Sequence, residues 1–273
     1  MMSRIVTGLL FGIAAGLAIA ASARAQKTDG RLTLFIIGDS TVKNNTAGQQ
    51  GWGDPLAEYF DNTKINVLNR AIGGRSSRTF LTEGRWDQIL AEMKPGDFVL
   101  MQFGHNDGGA INDSSRARGS IRGTGEETQE IDNLLTKKHE VVHTYGWNMH
   151  KYVADTKAKG ATPIILSPIP RKIWKDGKVV RASGDYGKWA AEVAKSEGAA
   201  FVDLNEITAR RYEEMGVEKV NMLFADEHTH TNAAGAEINA ASVVAGLKGL
   251  KGCALCRYFS AKAKSVAAYK PGP

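Results

Sequence analysis

Five short stretches of this 273-residue chain gather the side chains that can attack a carbonyl, move a proton or bind a metal. FADEHTHTN, residues 224–232, sets two adjacent acids beside two histidines spaced two apart, a composition that suits a metal site, a proton relay or a solvated loop. GDST, residues 38–41, places Ser40 just past an apolar run. At the start of a helix its hydroxyl would stand at the sheet edge beside amides that stabilise negative charge, and as a plain helix cap it would do no chemistry. GGRSSR, residues 73–78, has paired glycines that let the backbone approach a reacting atom or simply make a tight turn. GHND, residues 104–107, offers an asparagine amide able to donate to an oxyanion. HEVVH, residues 139–143, matches a zinc-hydrolase pattern in which a helix puts two histidines on one face and a glutamate serves as base. Its extended form runs through Gly146 but meets Met149 where a third ligand belongs, with His150 one place late, so the frame is broken and a helix that happens to carry His at i and i+4 is favoured.

These residues need a scaffold, and alternating periodicity supplies one. Short apolar, β-rich runs recur at 32–38, 65–71, 97–104, 162–170 and 199–205, separated by helix-compatible stretches at 54–60, 86–93, about 137–159, about 184–197 and 233–247. Such a β-α-β-α succession without internal repeats predicts an α/β fold, a three-layer α/β/α sandwich on a mainly parallel five-stranded sheet. Functional groups in such folds gather where strands end, and three of the five chemical stretches follow a predicted strand. Residues 108–136 are polar, Gly-rich and weakly periodic, which suits a lid or substrate wall as well as plain surface. Trp52 reads as a core anchor in preference to a sugar platform.

Composition narrows the partners. With 42% hydrophobic and 23% charged residues the chain can bury a full core, and one domain is expected over 26–250. Residues 1–25 combine an early Arg4, an apolar run and Ala23-Arg24-Ala25, the features of a cleaved secretory signal, so the protein is expected to be secreted or periplasmic, with no membrane association beyond that signal. Losing Arg4 and Arg24 takes the formal charge from +6 to +4, mildly basic. No Lys/Arg-rich run or nucleic-acid motif accompanies it, which favours an acidic polymer over nucleic acid. Cys253 and Cys256, a lone C-x-x-C, suggest a small surface disulfide, and the tail 251–273 reads as frayed and polar.

In this order, each short block resembles one of the blocks of the SGNH hydrolase family: GDST its serine block, GGRSSR its glycine block, GHND its asparagine block and FADEHTHTNAAGA its histidine block. The flanks GWGDPLAEYF, NRAIGGRSSRTF, GHNDGG and HTNAAGAE are similar to the rhamnogalacturonan acetylesterase group. The resemblance implies a serine carbohydrate esterase acting on an acetylated pectic, acidic polysaccharide, with Ser40 as nucleophile and His230 as base. The amides of Ser40 and Gly74 and the side chain of Asn106 would hold the oxyanion, and no metal or organic cofactor would be required. The family's acid is an aspartate three residues before the histidine; here Glu227 stands there and Asp226 one step earlier, so spacing favours Glu227 and residue type favours Asp226. Arg75, Arg78 and Arg85 are candidates to read substrate carboxylates, or are solvated or internally paired. Other acyl esters, and a non-catalytic carbohydrate-binding protein on the same scaffold, are the alternatives.

Overall fold

Chain order and strand pairing together decide where the loaded loops meet. The computed structural model of the chain describes residues 30–181 and 184–271, so the expected export signal lies outside the described residues. In order, the strands are β1 (Leu32–Gly38), β2 (Ile65–Asn69), β3 (Phe98–Gln102), β4 (Thr128–Asp132), β5 (His139–His143), β6 (Thr162–Leu166), β7 (Trp174–Lys175), β8 (Lys178–Val179) and β9 (Ala200–Val202). The helices are α1 (Ser77–Thr82), α2 (Arg85–Glu92), α3 (Tyr145–Ala158), α4 (Tyr186–Glu197), α5 (Leu204–Met215), α6 (Val217–Asn221), α7 (Ala233–Gly249) and α8 (Ala261–Lys264).

The central sheet has the order β2-β1-β3-β6-β9, with every neighbouring pair parallel. A strand buried on both faces must be apolar on both, and β1 alternates accordingly. Leu34 and Ile36 join one core with Leu100, Ile164 and Val243, whereas Phe35 and Ile37 join the other with Phe80, Met101 and Tyr152. The expected three layers are therefore present, α7 lying on the first face and α3 and α4 on the second. The strand order reverses between β1 and β3, and a doubly wound sheet opens its ligand crevice beyond the carboxyl ends of those two strands. Ser40 and Asn106 follow them directly.

Four expectations need correction. The segment 137–159 is not one helix: its first part, HEVVH, is β5, paired antiparallel with β4, and the helix begins at Tyr145 behind a Thr144 cap whose hydroxyl accepts from the Trp147 amide at 3.0 Å. The β-branched pair Val141-Val142 suits a strand, and Asn133 closes the connecting turn by accepting the amides of Leu135 and Thr136. Residues 54–60 form a 3-10 turn rather than an α-helix, Pro55 standing at its start. GDST enters a turn, not a helix: the carbonyl of Asp39 accepts from the amides of Val42 and Lys43.

The C-terminal segment is packed, not frayed. Cys253 and Cys256 form a disulfide, Leu255 and Ala263 are buried, Phe259 bridges to Phe60, and the amide of Tyr269 donates to Ala245. Its apolar residues, thinly spaced in sequence, cover the end of α7 and the 3-10 turn.

Candidate active site

Glycine lets β1 end where it does, since a side chain at Gly38 would strike Val42 and the carbonyl of Gln102 at about 2.6 Å. The turn that follows projects Ser40 over the sheet edge. On the far side of the crevice the segment 224–231 folds into a tight hairpin, closed by the Phe224–Thr231 bridge and by the Ala225 amide donating to the His230 carbonyl at 2.9 Å. Asn232 then caps α7 by accepting the Gly235 amide at 3.1 Å, which fixes the entry angle of the histidine turn. The two turns are stitched together where the Gln50 amide donates to the Thr231 carbonyl and the Thr231 hydroxyl donates back to that of Gln50.

Ser40 Oγ and His230 Nε2 lie 2.9 Å apart, and His230 Nδ1 lies 2.5 Å from Asp226 Oδ2. The other oxygen of Asp226 accepts the amides of His228, Thr229 and His230 at 3.2, 2.7 and 2.8 Å. Burial alone would raise the pKa of this carboxyl, but the amides of His230 and Thr229 and the His230 ring outweigh it and hold it below the ordinary value. The carboxylate that meets His230 is that of Asp226, not of Glu227, which spacing favours: the side chain one carbon shorter nucleates the turn, and Glu227 stands on its outer, exposed side with no hydrogen bond to either histidine among the described residues. His228 bonds Thr229, away from Ser40.

Gly74 has φ +79°, a conformation that favours glycine, and three successive carbonyls around it are held: Gly73 by Arg75 Nη1, Gly74 by Arg118 Nη1 and Arg75 by Asn106 Nδ2, at 3.2, 3.2 and 2.8 Å. One N–H of the Asn106 amide remains for another acceptor. Among the described residues, no acceptor meets the amides of Ser40 or Gly74. Asp107 accepts from the amide and hydroxyl of Ser77 and the hydroxyl of Ser120, so the asparagine block also anchors the start of α1.

A buried polar circuit supports the serine turn. Asp39 Oδ1 accepts the amide and hydroxyl of Thr41, both at 2.8 Å; the Thr41 hydroxyl accepts from Gln102 Nε2, whose Oε1 accepts from Trp52 Nε1. His105 Nε2 donates to the Ile169 carbonyl at 3.0 Å, and Nδ1 stands 3.3 Å from Asp39 Oδ2, an ion-pair separation rather than an aligned hydrogen bond. Desolvation works against the Asp39 charge, yet His105 and Thr41 together leave its pKa lowered. Three residues beyond Ile169, the Lys172 amide donates to the His228 carbonyl, so His105 links the serine turn to the strand exit that holds the histidine turn. His105→Ala and Asp39→Ala are expected to lower kcat on p-nitrophenyl acetate about 10–100-fold with KM within about threefold, since a shift near 1 Å in a reacting group costs about that much. Steady-state kinetics with circular dichroism checks this, and a folded His105→Ala enzyme at near-normal kcat would remove the positioning role.

The groove over this site occupies about 910 Å³ and is lined by Ser40, Gly74, Asn106 and His230 together with Arg75, Arg116, Arg118 and Arg171. Of the arginines expected from sequence only Arg75 reaches it. Arg78 is buried and forks onto Glu140 at 2.6 and 2.8 Å while holding the carbonyls of Ile111 and Gly119; Arg85 pairs with Glu83. Arg116 and Arg118 arrive on the 108–136 segment, which forms one wall of the groove, and Arg171 on the exit of β6. Trp52 is in the core as expected. The HEVVH histidines cannot share one zinc: along a strand they stand about 13 Å apart, against about 2 Å for each metal–nitrogen bond. Glu140 is engaged by Arg78, and His143 stacks on Trp147 at 3.7 Å.

Residues 36–238 match the GDSL-like Lipase/Acylhydrolase family. The chain is 34% identical over 207 residues to a rhamnogalacturonan acetylesterase of Emericella nidulans, covering 76% of this chain and 80% of that protein. It is 31% identical over 224 residues to a probable rhamnogalacturonan acetylesterase, YesY, of Bacillus subtilis, covering 80% and 93%. The crystal structure of Bacillus subtilis YxiM superposes with a TM-score of 0.64 at 28% identity, over 80% of this chain and 56% of that one, so the present chain spans little more than half of YxiM.

Proposed function

The chain belongs to the GDSL-like lipase/acylhydrolase family and is a carboxylic ester hydrolase, and on that premise we propose that it removes acetyl groups from a pectic polysaccharide of the rhamnogalacturonan type by a serine mechanism. The observation that carries the proposal is the continuous line Ser40 Oγ, His230 Nε2, His230 Nδ1, Asp226 Oδ2, opening on an arginine-lined groove.

Ser40 Oγ attacks the acetyl carbonyl as His230 Nε2 takes its proton, and Asp226 holds the imidazole in the tautomer that can accept it and stabilises the imidazolium formed. Negative charge gathers on the carbonyl oxygen, where the Ser40 and Gly74 amides and the spare Asn106 N–H receive it; each such donor contributes about 10²–10³ in rate. Collapse expels the sugar oxygen, which takes the proton from His230, and leaves an acetyl group on Ser40. Water, deprotonated by His230, then attacks that ester and frees acetate and serine.

Two relatives named for rhamnogalacturonan, together with four groove arginines against one acid, Glu83, support an acidic sugar chain as substrate. Acetate release from acetylated rhamnogalacturonan, xylan and chitin oligomers tests the reading. Release from the pectic polymer should be fastest, and faster hydrolysis of a neutral polymer would overturn it.

A further inference from the structure

Resting on that reading, we propose that Arg116, Arg118 and Arg171 form a subsite for the carboxylate of a uronate, on the sugar that carries the scissile acetyl or its neighbour. The other guanidinium groups near the surface largely have acids of their own: Arg70 pairs with Glu92, Arg122 with Asp185, Arg181 with Glu206 and Glu213, Arg210 with Glu206. In the groove, Arg75 shares Glu83 with Arg85. Arg116, Arg118 and Arg171 have no carboxylate partner among the described residues, and all three line the same cavity as Ser40 and His230.

Two of them are held in ways that make the missing acid costly. Arg118 is half-buried, and among the described residues its one hydrogen bond, to the Gly74 carbonyl, leaves most of its five N–H donors unused. Burial, and then the charge of Arg116, press its pKa down; Asp39 and Asp107 pull the other way without pairing with it, Arg75 adds to the repulsion, and the net direction is downward. Arg171 keeps its Nε fully buried, with no acceptor among the described residues. An unpaired cation in a partly dry cleft is unfavourable until an anion arrives, and a planar guanidinium fork matches a carboxylate edge to edge. Because Arg118 grips the Gly74 carbonyl, the subsite abuts the oxyanion loop. Acid recognition and the oxyanion donor then share one side chain.

The test compares wild type, Arg118→Met, Arg118→Lys and Arg171→Met on an acetylated galacturonate oligomer and an acetylated xylo-oligomer of equal length, with folding followed by circular dichroism. Wild type should favour the acidic oligomer in kcat/KM. Arg118→Met and Arg171→Met should each lower that acidic-to-neutral ratio by about tenfold or more. Arg118→Lys should not restore it, because one ammonium cannot hold the Gly74 carbonyl and a carboxylate edge together. Free galacturonate should compete with p-nitrophenyl acetate in wild type and lose at least about tenfold in potency in Arg171→Met, which carries the test alone if the Arg118 variants misfold. Ratios within about threefold of a clearly acid-preferring wild type would overturn the subsite and leave the substrate reading standing. A wild-type ratio near one would overturn both.

Discussion

Ser40→Ala is expected to lower kcat for acetyl ester hydrolysis by about 10⁵–10⁶-fold, the scale on which a serine mechanism collapses when its nucleophile is removed. The fold should not notice. Ser40 is partly exposed, the turn that carries it is closed by the Asp39 carbonyl, and its hydroxyl has one partner, His230. Such a substitution typically stays within about 0.5 kcal/mol in stability. The variant should therefore keep its melting temperature and its affinity for deacetylated product while acetate release stops. Activity within tenfold of wild type would disqualify Ser40 as nucleophile.

The second large effect separates two neighbouring acids. Asp226→Asn should cost about 10⁴ in kcat, because an amide donating to His230 Nδ1 fixes the tautomer whose Nε2 already carries a hydrogen and cannot take one from serine. Glu227→Gln, on the exposed side of the same turn, should stay within about twofold. His230→Ala should fall with Ser40→Ala, and His228→Ala much less. The Ser40→Ala/Asp226→Asn double variant should be no slower than Ser40→Ala alone, since the members act as one unit. If Asp226→Asn and Glu227→Gln both work normally the acid lies elsewhere, and if His228→Ala is the dead variant the register is wrong. Stability offers a second readout with a definite sign. The Asp226 carboxyl has a lowered folded pKa, so the stability it lends is complete above the unfolded carboxyl value of about 3.9 and is lost as pH falls through the folded one. The gap in melting temperature between wild type and Asp226→Asn should thus be present at neutral pH and close on acidification below about pH 4.

Residue spacing carried the reading a long way where a signal is local. A strand buried on both faces must be continuously apolar, and β1 is found at residues 32–38 as its periodicity predicts. Ser40, Gly74, Asn106 and His230, read from four blocks that together span the chain from residue 38 to residue 236, all line one groove. What was illegible depends on pairings that a linear string does not record. The choice of Asp226 over Glu227 is made by three turn amides converging on one oxygen. The valine pair of HEVVH leans toward a strand, but two residues are too short a signal against the helical periodicity that follows, and the partner strand β4 decides for β5. Arg78 looked available because its acid, Glu140, is 62 residues away. Arg118 lies in the weakly periodic segment 108–136, and its contact with Gly74 spans 44 residues, so spacing does not mark it. The one local hint was SSRARG, with two arginines close together in a loop otherwise built of small residues.

Ser40 and His230 are 190 residues apart, and the histidine turn leads directly into α7, whose far end is covered by the segment through Tyr269. A ribosome emits Ser40 near the beginning of its work and His230 near the end. Between those moments the Ser40 hydroxyl lacks its His230 partner, and on the proposed mechanism it stays an ordinary alcohol until the two turns meet. Reactivity toward a serine-directed phosphonate would therefore count molecules in which the two turns have met, so that labelling a refolding sample measures docking of the turn before α7 and not collapse of the first strands.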